Sequence, residues 1–329
     1  MFAVATAGES IIVSVNLIIV AICPLRRKNV QSFWSLGKKI YNMSNPREAR
    51  RCVVFCARAM ADRSRMRQID AFFGQDAVLC QVAEACPFVY EQPTRAFFYH
   101  RSTFTERAAL VEAHMGFLRN VLMEDAFLGI YQRKPVVLWR GMDCMEKELA
   151  AFLLFEPGQR KEGLLSVMLR LGESALYQII FWLNKAPNGE MAMWIGAMQG
   201  PNMENAKEVV KQVTKACHAY RTKNLILYMA QAVARSLGLK HIYAVSNEGY
   251  YANNHIRRDR KLKTDFGAFW EEAGGHVLAD ARFYELPLVE PRKTMEEVPT
   301  RKRAVYRRRF AFLDDVDAQI AESMGKILR

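Results

Sequence analysis

Five short apolar runs follow one another between Val136 and Gly196: Val136–Arg140, Leu149–Phe155, Gly163–Leu171, Ala175–Leu183 and Met191–Gly196. They are rich in Phe, Leu, Ile and Trp. Turn signals divide them at Glu156-Pro157-Gly158, Gly172-Glu173-Ser174 and Pro187-Asn188-Gly189. Parallel strands need a crossover of a dozen or more residues, and these gaps leave no room for crossover helices. The runs are therefore expected to be antiparallel neighbours, with Pro187-Asn188-Gly189 as a hairpin turn.

Helices with one more strand come next. A helix begins at Asn205, with Glu208 three residues on, and runs through Ala216. Thr222–Leu237 follows and stops at Gly238. Then come strand Lys240–Val245, loop Ser246–Asn254, short helix Phe266–Ala273, strand Val277–Leu286 and a basic helix from about Thr300. Upstream, Asn29–Met43 reads as a linker anchored by Phe33 and Trp34. A helix over Asn45–Met60 has Asn45 as cap, Pro46 in its first turn and Glu48 at its third position. It sets Arg47, Arg50, Arg51 and Arg58 as a solvated face over a Cys/Val/Phe stripe. A second helix opens on the capping box Thr103-x-x-Glu106, and its apolar spacing makes His114 a packed residue. The expected fold is α+β, a mainly antiparallel sheet with a helix pair and an inserted strand, preceded by a helical region. The chain divides as 1–44, 45–133 and 134–329.

The formal net charge of +13 implies acidic partners: nucleic acid, an anionic membrane or lipid phosphates, or an acidic carrier protein. Seven cysteines without a CxxC pair suit reduced, mostly buried thiols rather than a zinc site, so no metal is expected. Ile11–Leu25 is apolar and is followed by Arg26-Arg27-Lys28. It is short for a spanning helix, and the readings open to it are a membrane-associated helix, a start-site extension or a signal. Cations after the run would hold that side in the cytoplasm, so a cytoplasmic or inner-membrane-associated location is expected.

The order of elements across Tyr220–Gly275 looks like the cofactor half of the GCN5-related acyltransferase fold. Residues from Gly158 to Ser323 resemble the VirK/YbjX family of Gram-negative bacteria. The resemblance rests on Ser166–Gly172, Tyr177–Leu183, Ile195-Gly196-Ala197 with Gly200-Pro201, and Ala244-Val245-Ser246-Asn247. Thr214-Lys215, Tyr220-Arg221 before Lys223-Asn224-Leu225, Phe269-Trp270-Glu271 with Gly274-Gly275, Leu286-Pro287, and Arg301-Lys302-Arg303 with Tyr306-Arg307-Arg308-Arg309 complete it. It implies a role in envelope homeostasis, tolerance of antimicrobial peptides or virulence, with no settled reaction. Acyl transfer to a lipid or protein acceptor would draw on an acyl-thioester donor, acyl-coenzyme A or acyl carrier protein. The alternative is a non-catalytic basic adaptor for anionic lipid, a lipopolysaccharide precursor or RNA.

Three clusters carry candidate chemistry. Arg221, Thr222, Lys223 and Asn224 open a helix, where free amides and cations suit an anion; Thr222 can cap, but the Gly-x-Gly of the acyltransferase pattern is absent. In the next loop and helix, His255 or Glu271 is a candidate base, and Tyr251 could protonate a leaving thiolate. Arg301, Arg303, Arg307, Arg308 and Arg309 lie on the last helix and either meet an acidic partner or pair with Asp314, Asp315 and Asp317. Nucleic acid is the weaker match, because no named nucleic-acid motif is present. There is no Ser-His-Asp order, Walker loop, Rossmann fingerprint or metal-binding repeat.

Overall fold

A computed structural model describes residues 32–141, 143–254 and 265–329. The apolar run Ile11–Leu25, His255 and the basic stretch 257–263 lie outside the described residues.

The helical region begins earlier than the sequence suggests. Where a linker was expected, Phe33–Ile40 is a helix (α1), capped by Ser32, whose hydroxyl accepts from Trp34 N. Gly37 and the Phe33 carbonyl sit against Cys52 and Cys56, so contacts distant in sequence organise this turn. Pro46–Ala61 (α2) has the expected Asn45 cap. Its buried stripe is Cys52, Phe55, Cys56 and Ala59; Val53 and Val54 are exposed, so the valines do not belong to it. Arg63–Gly74 (α3), Ala77–Ala85 (α4) and Phe88–Thr94 (α5) follow.

Phe104–Val121 (α6) opens on the reciprocal box anticipated from sequence. Thr103 Oγ1 accepts from Glu106 N at 3.2 Å, and the Glu106 carboxylate accepts from Thr103 N at 2.7 Å. Removing such a cap costs about 1 kcal/mol. Thr103→Ala is therefore expected to lower the urea midpoint by that equivalent at unchanged m; an unmoved midpoint would show that the box is dispensable. Glu124–Tyr131 (α7) leads into the sheet.

The five apolar runs form β1 (Val136–Arg140), β2 (Leu149–Leu154), β3 (Leu165–Leu171), β4 (Ser174–Lys185) and β5 (Met191–Gln199), each antiparallel to the next. After Ala206–Ala216 (α8) and Thr222–Ser236 (α9), β6 (Ile242–Val245) pairs parallel with β5, Met193 facing Ile242. Gly238, at φ +72°, takes the left-handed conformation that ends α9. Asn205, at φ 58°, makes no side-chain cap to α8. Phe266–Glu272 (α10) follows β6. The single strand expected over Val277–Leu286 is instead two strands, β7 (His276–Val277) and β8 (Phe283–Leu286). Between them Asp280 accepts from Arg282 N and pairs with its guanidinium, which turns the chain. Arg303–Gly325 (α11) ends the fold. The sheet order is β1-β2-β3-β4-β5-β6-β8-β7.

All of β3 but Arg170, most of β5 and the middle of β4 are buried, so helices cover both faces there. α6 packs on β4, α9 on β3 and β4, and α11 on α9 and β1. Among the described residues no helix is long and apolar enough to cross a membrane.

Candidate functional site

The β5–β6 pair is the one parallel neighbour relation in the described sheet, and the two strands part at their carboxyl ends. Pairing stops at Ile195–Ala244, while β5 continues along β4 to Gln199. The segment around Glu162 lies against this end of β5, its carbonyl close to Gly196. Glu162 is 4% exposed. One carboxylate oxygen accepts from Tyr250 OH at 2.6 Å, the other from Gln199 Nε2 at 2.7 Å. Burial raises the Glu162 pKa, and the two hydrogen bonds offset part of that. Burial, then the neighbouring Glu162 charge, also raises the pKa of Tyr250. The half-buried phenol thus donates a short hydrogen bond to a carboxylate that is itself buried.

No motif announced Glu162 in the sequence. The clue available was a carboxylate placed between Arg160-Lys161 and the apolar run Gly163–Leu171.

Tyr251 stands next to this pair, edge-on to the Tyr250 ring at 4.9 Å and to Phe97 at 6.4 Å. The loop that presents it is held by side-chain amides. Asn247 accepts from Phe266 N and donates to Asp265; Asn253 donates to the carbonyls of Asn247 and Glu248. Asn254 accepts from Arg101 N and donates to the Tyr99 carbonyl. Tyr250 reaches the start of α10 through Phe266, whereas Glu271 lies at its far end and accepts from Tyr284 OH at 3.0 Å. Tyr251 and Glu271 thus flank opposite ends of a seven-residue helix, about 10 Å long at 1.5 Å per residue.

Arg221 and Lys223 do come together. Both bind the carboxylate of Glu272 on α10, Lys223 at 2.8 Å, and the Lys223 ammonium lies 4.6 Å from the Phe269 ring centroid. The hydrogen bond from Lys223 leads the causes that hold the Glu272 pKa down. Glu272 sits where an external anion would bridge the two cations. Thr222 is not the cap: Arg221 holds that position without a side-chain bond. Thr222 is buried, its hydroxyl 3.3 Å from that of Thr214 on α8. Asn224 has a buried Oδ1 with no hydrogen-bond partner among the described residues.

The last helix separates its cations into two sets. Arg309 donates to the carbonyls of His218 and Ala219 and stacks over Tyr306, 4.5 Å from its centroid, so it ties α11 to the chain before α9. Arg303 donates to the Val298 carbonyl. The aspartates that could have neutralised the helix are engaged elsewhere. Asp314 binds Arg292, Asp315 accepts from Trp139 Nε1, and Asp317 binds Arg235 and Tyr228. Arg301, Lys302, Arg307 and Arg308 are exposed, with no acidic partner among the described residues.

These features define a class: an α+β protein with one parallel crossover, a buried Glu–Tyr pair beside it and a cationic final helix. Residues 44–322 match the family described as "Protein of unknown function (DUF535)", and the chain belongs to that family, which includes YbjX. It is 32% identical to "Uncharacterized protein YbjX" of Escherichia coli strain K12 over 70% of this chain and 71% of that protein. It is 32% identical to an uncharacterized protein of Haemophilus influenzae, over 48% of this chain and 52% of that one. "Membrane protein LapB" of Mannheimia haemolytica is 24% identical over 64% of this chain and 90% of its own length. No solved structure matches.

Proposed function

We propose that this protein works at the cell envelope, docked on an anionic lipid surface through the first turns of α11 and the residues just before them. The observation that carries this reading is the set Arg301, Lys302, Arg307 and Arg308, exposed while the neighbouring aspartates bind other groups. The name of the Mannheimia relative, a membrane protein, supports it. Support of antimicrobial-peptide tolerance or virulence would follow from maintenance of that surface.

The test is flotation with vesicles of phosphatidylglycerol in phosphatidylcholine. Each cation near an anionic surface is worth about 1 kcal/mol. Changing the four residues to Gln is expected to weaken binding by about 4 kcal/mol, close to a thousandfold at low salt. Raising salt should reproduce the loss, because screening acts beyond about 10 Å at 0.1 M. Arg309→Gln belongs outside this set and should lower stability instead. Binding unmoved by both mutation and salt excludes the surface role, as does an equal loss on neutral vesicles.

Acyl transfer is the second reading, favoured by the parallel β5–β6 crossover with Arg221 and Lys223 at the start of α9. A phosphate of an acyl-coenzyme A or acyl carrier protein donor would displace Glu272. A hydroxyl or amine of the lipid or protein acceptor would bond to the thioester carbonyl carbon as the C–S bond breaks and give up its proton to solvent, and Tyr251 or Tyr250 would protonate the leaving thiolate. Thiol release from an acyl thioester, lost in Tyr251→Phe or Tyr250→Phe, is the result this reading requires.

A further inference from the structure

The carboxyl end of β5 also borders a pocket that neither reading uses. Gln178 on β4 pairs in register with Met168 on β3 and with Gln199 on β5, so the three side chains share one sheet face. Together with Glu156, Gln159, Tyr177 and Asn202 they line a cavity of about 440 Å³. That falls within the range of small-ligand sites, about 300–1,000 Å³.

The lining chemistry is selective. In a chain of net charge +13, no lysine or arginine among the described residues lines this cavity. Its polar groups are amides, one carboxylate and hydroxyls. The Gln159 and Gln199 amides exchange hydrogen bonds of 2.7 Å in both directions, and Gln199 Nε2 also donates to Glu162, which fixes their orientation. Tyr177 holds its ring against Gly200 and offers an aromatic surface; a Cβ on Gly200 would lie 3.4 Å from it. Gln178 is 5% exposed, and its Nε2 has no hydrogen-bond partner among the described residues. A buried donor left unpaired costs about 1–3 kcal/mol, so the protein carries this amide at a loss unless something accepts from it.

Oriented neutral donors and acceptors, a carboxylate and an aromatic face, without cations, suit a ligand dense in hydroxyls. Phosphates and acyl chains do not match that lining. We propose that this pocket is a saccharide site of one or two sugar rings at the end of β5, where Ser174–Tyr177 runs on without a β5 partner, with Gln178 Nε2 donating to a sugar oxygen from one face of β4 and Tyr177 meeting a ring from the other. The Gln199–Glu162–Tyr250 chain of hydrogen bonds then links the occupied pocket to the loop carrying Tyr251.

The experiment is saturation-transfer NMR on the full chain with glucose, galactose, N-acetylglucosamine and maltose at millimolar concentration, with inorganic phosphate titrated separately by phosphorus NMR. At least one sugar is expected to receive saturation at its ring protons. Gln178→Met should abolish that signal without lowering the urea midpoint, because the amide it removes has no partner in the protein. Tyr177→Ala should weaken the same sugar at least tenfold. The proposal is overturned if no sugar in the panel binds, if binding survives Gln178→Met, or if phosphate binds and competes for the pocket while sugars do not. A Gln178→Met variant that is strongly destabilised would also overturn it, by making the amide a structural group. None of these outcomes depends on vesicle binding by α11.

Discussion

Gly196→Ala is expected to destabilise the protein by about 3 kcal/mol or more, at the upper end of overpacking penalties. A Cβ at this position would lie 1.9 Å from the Glu162 carbonyl oxygen and 2.7 Å from Cζ3 of Trp182. Neither neighbour can yield cheaply. Trp182 is fully buried and stacks on Trp194. The Glu162 backbone is held by its own carboxylate, bound to Tyr250 and Gln199, and by Gly163, which is pressed against Phe181. Gly196 is also the extra residue in β5, where the partner of Ile180 is Ala197 and that of Phe181 is Ile195. Such a bulge bends the strand and brings the Glu162 segment against it. Urea denaturation measures the loss. Gly74→Ala, where nothing lies within 4 Å, is the control and should be neutral or slightly stabilising. If Gly196→Ala stays within about 0.5 kcal/mol of the parent, the close approach described here is wrong.

Gly196 shows where the sequence is informative and where it stops. It stood out in Ile195-Gly196-Ala197, one of the stretches that carry the family resemblance, yet the reason for the glycine is a contact with a residue 34 positions earlier, which no local pattern encodes. Local signals did well. Apolar runs, turn residues and caps located β1 to residue accuracy, the capping box of α6 and the strand that joins the sheet after the helix pair; that this strand pairs parallel with β5 came from the structure. The α+β architecture follows from those. What was missed depends on distant partners: α1 is stabilised by Cys52 and Cys56, and the break between β7 and β8 is set by the Asp280–Arg282 turn. The candidate site follows the same division. Runs of arginine are visible in sequence, but which of them are spent on carbonyls (Arg303, Arg309) and which stay exposed (Arg307, Arg308) is decided by tertiary packing. Glu162 and Tyr250, 88 residues apart, had no common signal to find.

Stability is expected to fall as pH drops below about 6.5, with His114 as the main single contributor. His114 is fully buried on α6 and sits in a fixed neutral tautomer. Its Nδ1 accepts from Leu183 N at 3.0 Å, so the proton is on Nε2, which donates to Tyr131 OH at 2.8 Å; Tyr131 in turn donates to the Leu164 carbonyl. Burial lowers its pKa to about 3. The unfolded chain therefore binds a proton near pH 6.5 that the folded chain refuses until about pH 3. Stability from this group is complete above the unfolded pKa and is lost as pH falls, at about 1.4 kcal/mol per unit in that window. His114→Asn keeps an acceptor for Leu183 N and removes the titration. At pH 7.5 it should cost roughly 1–3 kcal/mol, from the lost Tyr131 contact and the space left by the smaller side chain. Between pH 6.5 and 5 the parent should lose about 2 kcal/mol more than the variant, so the two midpoints converge on acidification. Parallel pH profiles for the two proteins would mean that His114 is protonated in the fold, and that its bond from Leu183 N is not made.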